Sequence, residues 1–247
     1  MKKFYVMTLF PEMLEAVLGS SIIGRALKNG LVEFDFINIR DFAFNKHRKT
    51  DLYPYGGGGG MIMTPEPIYN AWSDICQKAG KRPLTVYMSP QGRVFNQGTA
   101  KELLEYDDIA ILCGHYEGVD QRIIDEIVDM EISIGDFVLT GGEIPAMAVI
   151  DAVTRMIPGV LSEESSYEEE SHFSGLLEYP QYTRPEVFMG RKVPDVLLSG
   201  HHANILKWKR EQSLLNTKRK RPDLLEKAGL SPADIDFLKN NEKDKPD

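Results

Sequence analysis

Three groups of residues in this chain have the types and spacing to do chemistry. Glu117 and Asp120 fall in Gly114-His115-Tyr116-Glu117-Gly118-Val119-Asp120, directly after the apolar run Ile109–Cys113. A carboxylate at a strand end can hold a ligand hydroxyl or ammonium group, whereas Asp120, where the next helix begins, is equally explained by capping. Arg155 precedes Ile157-Pro158-Gly159 near a helix C-terminus, and the helix dipole alone accounts for a cation there. The run Tyr167-Glu168-Glu169-Glu170-Ser171 crowds like charges, which raises carboxylate pKa values and can yield a general base; a solvated loop has the same composition. His201 and His202 diverge on a helix, so no metal site is expected, and no Ser-His-Asp or Cys-His arrangement stands out.

These groups need elements to position them. FYVMTLF, VEFDFINI, PLTVYMS, DIAILCG and MEISI read as short strands rich in β-branched and aromatic residues. Between them lie helical stretches at Pro11–Leu18, Ile22–Lys28, Pro65–Ala79, Gly98–Tyr106, Val119–Val128 and Ile144–Met156, which makes an α/β domain with a mostly parallel sheet. Two strands break at glycine into loops, GHYEGVDQR and IGDFVLTGGE, and open parallel sheets bind ligands at such strand ends. Neither loop is a phosphate cradle, since GxGxxG is absent after the first strand and GxxxxGK[ST] is absent throughout. The apolar Phe137-Val138-Leu139 between two glycine sites suits an adenine ring held by backbone amides and aliphatic side chains. Gly56–Gly60 cannot be regular structure; it is either a flexible loop or one whose backbone approaches a substrate or a subunit, with Lys46, His47, Arg48 and Lys49 upstream able to meet phosphates.

From Gly159 to Pro185 the chain is polar, acidic and without period, a length that marks a functional loop or linker. Beyond it, apolar and basic residues alternate at helical spacing, with Ile205, Trp208, Leu214 and Leu215 available for a buried stripe, and Ser231-Pro232 reads as an N-cap followed by a first-turn proline. The chain of 247 residues is 42% hydrophobic and carries a formal charge of -8, but Lys207, Lys209, Arg210, Lys218, Arg219, Lys220 and Arg221 gather in one segment. Such segregation points to an anionic partner for that segment. Two cysteines without metal spacing, no apolar run long enough to span a bilayer and no signal peptide fit a cytoplasmic setting.

Taken together, FPEM, YGGGGGM, SPQG (Ser89 to Gly92), CGHYEGVDQR, ISIGDFVLTGGE, IDAVTRMIPGVL, GLLEYPQYTRP and VPDVLLSGHH occur in order over most of the chain. The sequence thereby closely resembles the bacterial tRNA (guanine-N(1)-)-methyltransferases, the TrmD family of the SPOUT superfamily. The resemblance implies a parallel sheet closed by a deep C-terminal trefoil knot in residues 1–160, an acidic interdomain loop at 161–180 and a small helical tRNA-binding domain at 181–247. It implies S-adenosylmethionine bound in the knot by Tyr87, Ser89, Pro90, Gln91, Gly114, Tyr116, Glu117, Gly118, Ile134, Gly135, Asp136, Phe137, Val138, Leu139, Gly141, Gly142 and Pro145. It also implies a homodimer with the active site at the subunit interface, and no membrane partner.

The reaction implied is methyl transfer to N(1) of the guanosine at tRNA position 37, beside the anticodon. In the family an aspartate in a pattern similar to E-D-S-F-x-x-G acts as base; the matching stretch here is Glu169-Glu170-Ser171-His172-Phe173-Ser174-Gly175. Counting back from Gly175 places Glu170 at that aspartate, with Glu169 the neighbouring register. Arg155 matches the family's arginine before IPG as the electrostatic partner, and Arg184, Lys218, Arg219, Lys220 and Arg221 would meet tRNA phosphates. Another SPOUT enzyme acting on ribose or ribosomal RNA, or a non-catalytic RNA-binding relative, would share much of this pattern. The sequence leaves Mg2+ open.

Overall fold

The computed structural model describes residues 1–161, 170–173 and 175–241. The chain divides into two compact units, Met1–Glu163 and Glu164–Asp247. The first contains strands β1 (Lys2–Thr8), β2 (Val32–Asn38), β3 (Asp51–Leu52), β4 (Ile62–Met63), β5 (Leu84–Val94), β6 (Asp108–Cys113) and β7 (Met130–Ser133). Five of them form one sheet in the order β2-β1-β6-β5-β7, every pairing parallel. The mostly parallel α/β architecture expected from the sequence is therefore present.

Parallel strands need crossovers, and helices α1 (Pro11–Leu18), α2 (Ser21–Lys28), α3 (Pro65–Ala79), α4 (Gln97–Leu104), α5 (Gln121–Ile127) and α6 (Glu143–Thr154) lie between or after them. One sheet face buries Tyr5, Met7, Tyr87, Ala110 and Leu112 against Ile68, Ala71 and Ile75 of α3 and Ile123 and Ile127 of α5. The alternate positions Phe4, Val6, Val86, Ile109 and Ile111 are buried as well, and α6 packs on β6 with α1, α2 and α4 beside it. Covering both faces explains why these strands read as continuous apolar runs.

Several boundaries differ from the sequence expectation for local reasons. Asp120 caps α5 by accepting from the Arg122 N–H at 3.0 Å, so α5 starts at Gln121 rather than Val119. Gly142 is the N-cap of α6, which begins at Glu143. β5 runs past the expected strand to Val94 because Ser89–Gly92 leaves the ladder and Arg93 rejoins β7, with Met88 and Arg93 both opposite Ile132. The two-residue strands β3 and β4, and a second pair at Val187–Phe188 and Arg191–Lys192, are too short for any period to reveal.

The second unit is helical: Asp195–Leu198, His202–Lys220, Pro222–Leu225 and Pro232–Asn240. In the expected stripe only Leu214 is fully buried; Ile205, Trp208 and Leu215 are half-buried, and Trp208 instead meets the rings of Tyr179 at 6.5 Å and Tyr182 at 6.3 Å. Ser231 forms a capping box with Asp234, whose carboxylate also takes a two-pronged bond from Arg210 at 3.1 and 2.8 Å. The segment after the acidic run packs on the long helix, with the Leu177 N–H donating to Thr217 Oγ1 and Asn216 Nδ2 to the Glu178 carbonyl. Among the described residues no helix is long and apolar enough to cross a membrane.

Candidate functional site

The middle of β5, where it leaves the ladder, and the C-terminal ends of β6 and β7 converge on a cavity of about 300 Å³ in the first unit. Three loops wall it: the Ser89–Gly92 excursion, the Gly114–Val119 loop and the segment from Ile134 to Gly142. Every residue named above for the cofactor loops lines this cavity except Asp136, which is exposed and contributes nothing to the wall.

Backbone proximity explains why two of these positions are glycine. A Cβ on Gly142 would stand 2.7 Å from Cys113 Cα, and one on Gly141 would stand 2.2 Å from the His115 ring. Gly142 N–H donates to the Gly114 carbonyl at 3.0 Å, so the loop after β7 reaches past β5 and is bonded to the end of β6. A side chain at either glycine would push these strands' loops apart.

The lining suits a cationic ligand with an apolar part. Glu117 and Glu131 face the cavity and, among the described residues that line it, none is lysine or arginine. Burial, helped by the charge of Glu131, pushes the Tyr87 phenol up to about 12, so it stays a hydrogen-bond donor. Phe137 and Val138 are 53% and 82% exposed, an apolar surface that is costly to leave in water without something to cover it. Beside the wall, Glu117 N–H donates to the Met61 carbonyl and Met63 N–H to the Gly118 carbonyl. The five-glycine loop is thus tethered at its end to the cavity rim, which favours the close-approach reading over a free linker.

Sequence reading missed His115, Gln121, Ile124, Glu131 and Thr140 in the lining, and Glu143 behind it. Glu143 is 1% exposed; it accepts from Thr8 Oγ1 at 2.5 Å and contacts His115 Nε2 at 2.7 Å. Its negative charge, after burial itself, raises the Cys113 thiol well above its ordinary value. Thr8 and Glu143 are 135 positions apart, so no local pattern could have paired them.

Of the expected catalytic pair, Arg155 is not among the residues that line this cavity. Arg155 caps the far end of α6, which at 1.5 Å per residue lies about 18 Å along the axis from Glu143. Glu170 belongs to the second unit, half-buried, and its carbonyl accepts from the Phe173 N–H. Glu169 and the acidic residues Glu163, Glu164 and Glu168 lie outside the described residues.

Of the expected phosphate contacts, Arg184, Arg219 and Lys220 are exposed. Lys218 donates to the carbonyls of Leu238 and Asn241, and Arg221 forks onto Asp223, so these two serve the fold as well. Lys218, Arg219 and Lys220 line a groove of about 720 Å³ with Tyr179, Gln212 and Asn216. Among the described residues no cluster of three His, Cys, Asp or Glu side chains could hold a metal ion.

The family model "tRNA (Guanine-1)-methyltransferase TrmD" matches residues 1–227. A tRNA (guanine-N(1)-)-methyltransferase of Ruminiclostridium cellulolyticum is 60% identical over 225 residues, covering 91% of this chain and 97% of the relative. One from Alkaliphilus oremlandii is 57% identical over 238 residues, covering 94% and 96%. The crystal structure of tRNA (m1G37) methyltransferase from Aquifex aeolicus superposes with a TM-score of 0.74 at 44% identity, over 92% of this chain and 95% of that one.

Proposed function

The chain belongs to the tRNA (guanine-1)-methyltransferase TrmD family and is an enzyme that methylates N(1) of guanine in tRNA; from that premise we propose that S-adenosylmethionine is the donor and guanosine 37 the target. The observation that carries the donor reading is the convergence of sixteen sequence-named loop residues on one cavity, closed by glycines at backbone-limited positions. Acidic groups, a buried phenol and an apolar wall fit a ligand bearing an ammonium, a sulfonium and an adenine ring. When bound, that ligand supplies a methyl group activated by the positive sulfur. A trefoil knot is the topology we propose for these loops, and the Gly142-to-Gly114 hydrogen bond beyond β5 supports it.

Guanine N(1) carries a proton, so a base must remove it as the new carbon–nitrogen bond forms. Glu170 is the proposed base, and Arg155 stabilises the negative charge that develops on the guanine as the proton leaves. The separation of Arg155 from the cavity along α6 supports a homodimeric site in which each cavity meets the partner's arginine. Exposed Leu52, Tyr53 and Tyr55 give such a partner an apolar face to cover. Arg184, Arg219 and Lys220 are proposed to meet phosphates of the anticodon arm.

Methyl transfer to unmodified tRNA bearing guanosine or adenosine at position 37, followed by nuclease digestion and mass spectrometry, tests the target. We expect N(1)-methylguanosine only in the first tRNA; methylation of ribose, or of both tRNAs equally, refutes the reading.

A further inference from the structure

Beneath the cavity runs a hydrogen-bonded chain that joins three distant segments. Thr8 ends β1, Glu143 begins α6 and His115 follows β6. The Thr8 hydroxyl accepts from the Phe10 N–H at 2.9 Å and donates its own proton to Glu143 Oε1 at 2.5 Å. Glu143 Oε2 is then left for His115 Nε2 at 2.7 Å, and an ionised carboxylate there takes the imidazole as donor through Nε2. Both carboxylate oxygens are satisfied in a residue that is 1% exposed, where an unpaired oxygen would be costly.

His115 reaches the cavity as well. It lines the wall, bridges Gly141 in antiparallel fashion and lies against that glycine so closely that no Cβ would fit. Its ring is boxed by Phe10 at 5.0 Å and Tyr116 at 6.2 Å. The segment it holds carries Phe137, Val138 and Leu139, all exposed and therefore poorly anchored by packing of their own. Gly142 N–H and the His115–Glu143 bond clamp that segment where it turns into α6.

We propose that Thr8, Glu143 and His115 form a positioning clamp that presets the Ile134–Gly142 wall for the methyl donor. The clamp sets donor affinity and leaves the proton-transfer step alone, because Arg155 stands at the other end of α6. This inference rests on the reading that the donor occupies this cavity.

The test compares His115→Phe, which keeps a ring but loses the donor nitrogen, with His115→Gln, whose amide can still donate to Glu143. KM for S-adenosylmethionine, KM for tRNA, kcat and the melting temperature are measured for each, with calorimetric titration of S-adenosylhomocysteine into the wild type and both variants. We expect His115→Phe to raise the donor KM on the order of tenfold to a hundredfold, the worth of a hydrogen bond to a charged group, with kcat and tRNA KM little changed. His115→Gln should recover most of that loss. Should His115→Phe fail to fold, Thr8→Val against Thr8→Ser is read by the same criteria. The clamp is refuted if the Phe and Gln variants are equally impaired, if kcat falls at constant donor KM, or if only the melting temperature moves. Absence of binding to the wild type sinks the donor reading and the clamp together, whereas binding to wild type matched by His115→Phe sinks the clamp alone.

Discussion

At Gly142 a single methyl group decides whether two loops can meet. Its φ of −83° is open to any residue, so the constraint is the close approach of Cys113 and Gly114 rather than backbone strain. Gly142→Ala should cost about 1–3 kcal/mol by overpacking and weaken S-adenosylhomocysteine binding, measured by thermal unfolding and calorimetry. Glu170 poses the opposite problem, since its carboxylate matters for charge rather than fit. Glu170→Gln should lower kcat by roughly 10²–10⁴-fold with tRNA affinity retained, as loss of a general base does. Near-normal turnover would exclude Glu170, and Glu169→Gln assayed beside it fixes the register. Glycines and carboxylates of this kind are legible in sequence because their chemistry is unusual; His115 is not, because its role exists only once Glu143 is beside it.

At the level of elements, the helix Pro232–Asn240 is held by polar interactions more than by apolar burial. Asp234 accepts from Arg210 and from the Ser231 N–H and hydroxyl, and the Arg210 guanidinium holds its carboxyl well below the ordinary value near 3.8. A depressed folded-state pKa means that the unfolded chain binds the proton more readily. Stability from this group is therefore complete above about pH 4–5 and is lost as pH falls through the acid range. Asp234→Asn should destabilise the second unit by roughly 2 kcal/mol near neutrality, less than for a fully buried pair because Arg210 keeps 41% of its side-chain exposure. Thermal unfolding at pH 7 and pH 3 checks both claims, with the gap between variant and wild type shrinking at the lower pH. The N-cap was readable as Ser231-Pro232, but the reciprocal bond from Asp234 and the Arg210 clasp, which spans 24 positions, were not.

For the molecule as a whole, charge and assembly matter more than any single interaction. A formal charge of -8 does not prevent RNA binding when cations gather in one segment, as they do from Lys207 to Arg221. Arg219→Ala with Lys220→Ala should weaken tRNA binding and lower the salt slope by about 1 for each phosphate no longer neutralised, leaving donor affinity unchanged in a filter-binding series. Assembly can be tested by complementation between a Gly142→Val chain and an Arg155→Ala chain. If each cavity uses the partner's arginine, random mixing makes half the dimers mixed, each with one intact site, and activity returns to about a quarter of wild type. Activity that stays at the level of the separate variants would place both residues in one chain's site.

The sequence by itself determined the α/β class, the order of its strands and helices, the glycine loops and the family, because these depend on local periodicity and on residues with distinctive chemistry. Only the tertiary structure decided that sixteen loop residues share one cavity, that Arg155 sits a helix length from it, and that Lys218 caps a neighbouring helix. It alone joined Thr8 to Glu143 to His115. Such pairings form where parallel strands bring their ends together, and the distance in space that results bears no relation to the distance along the chain.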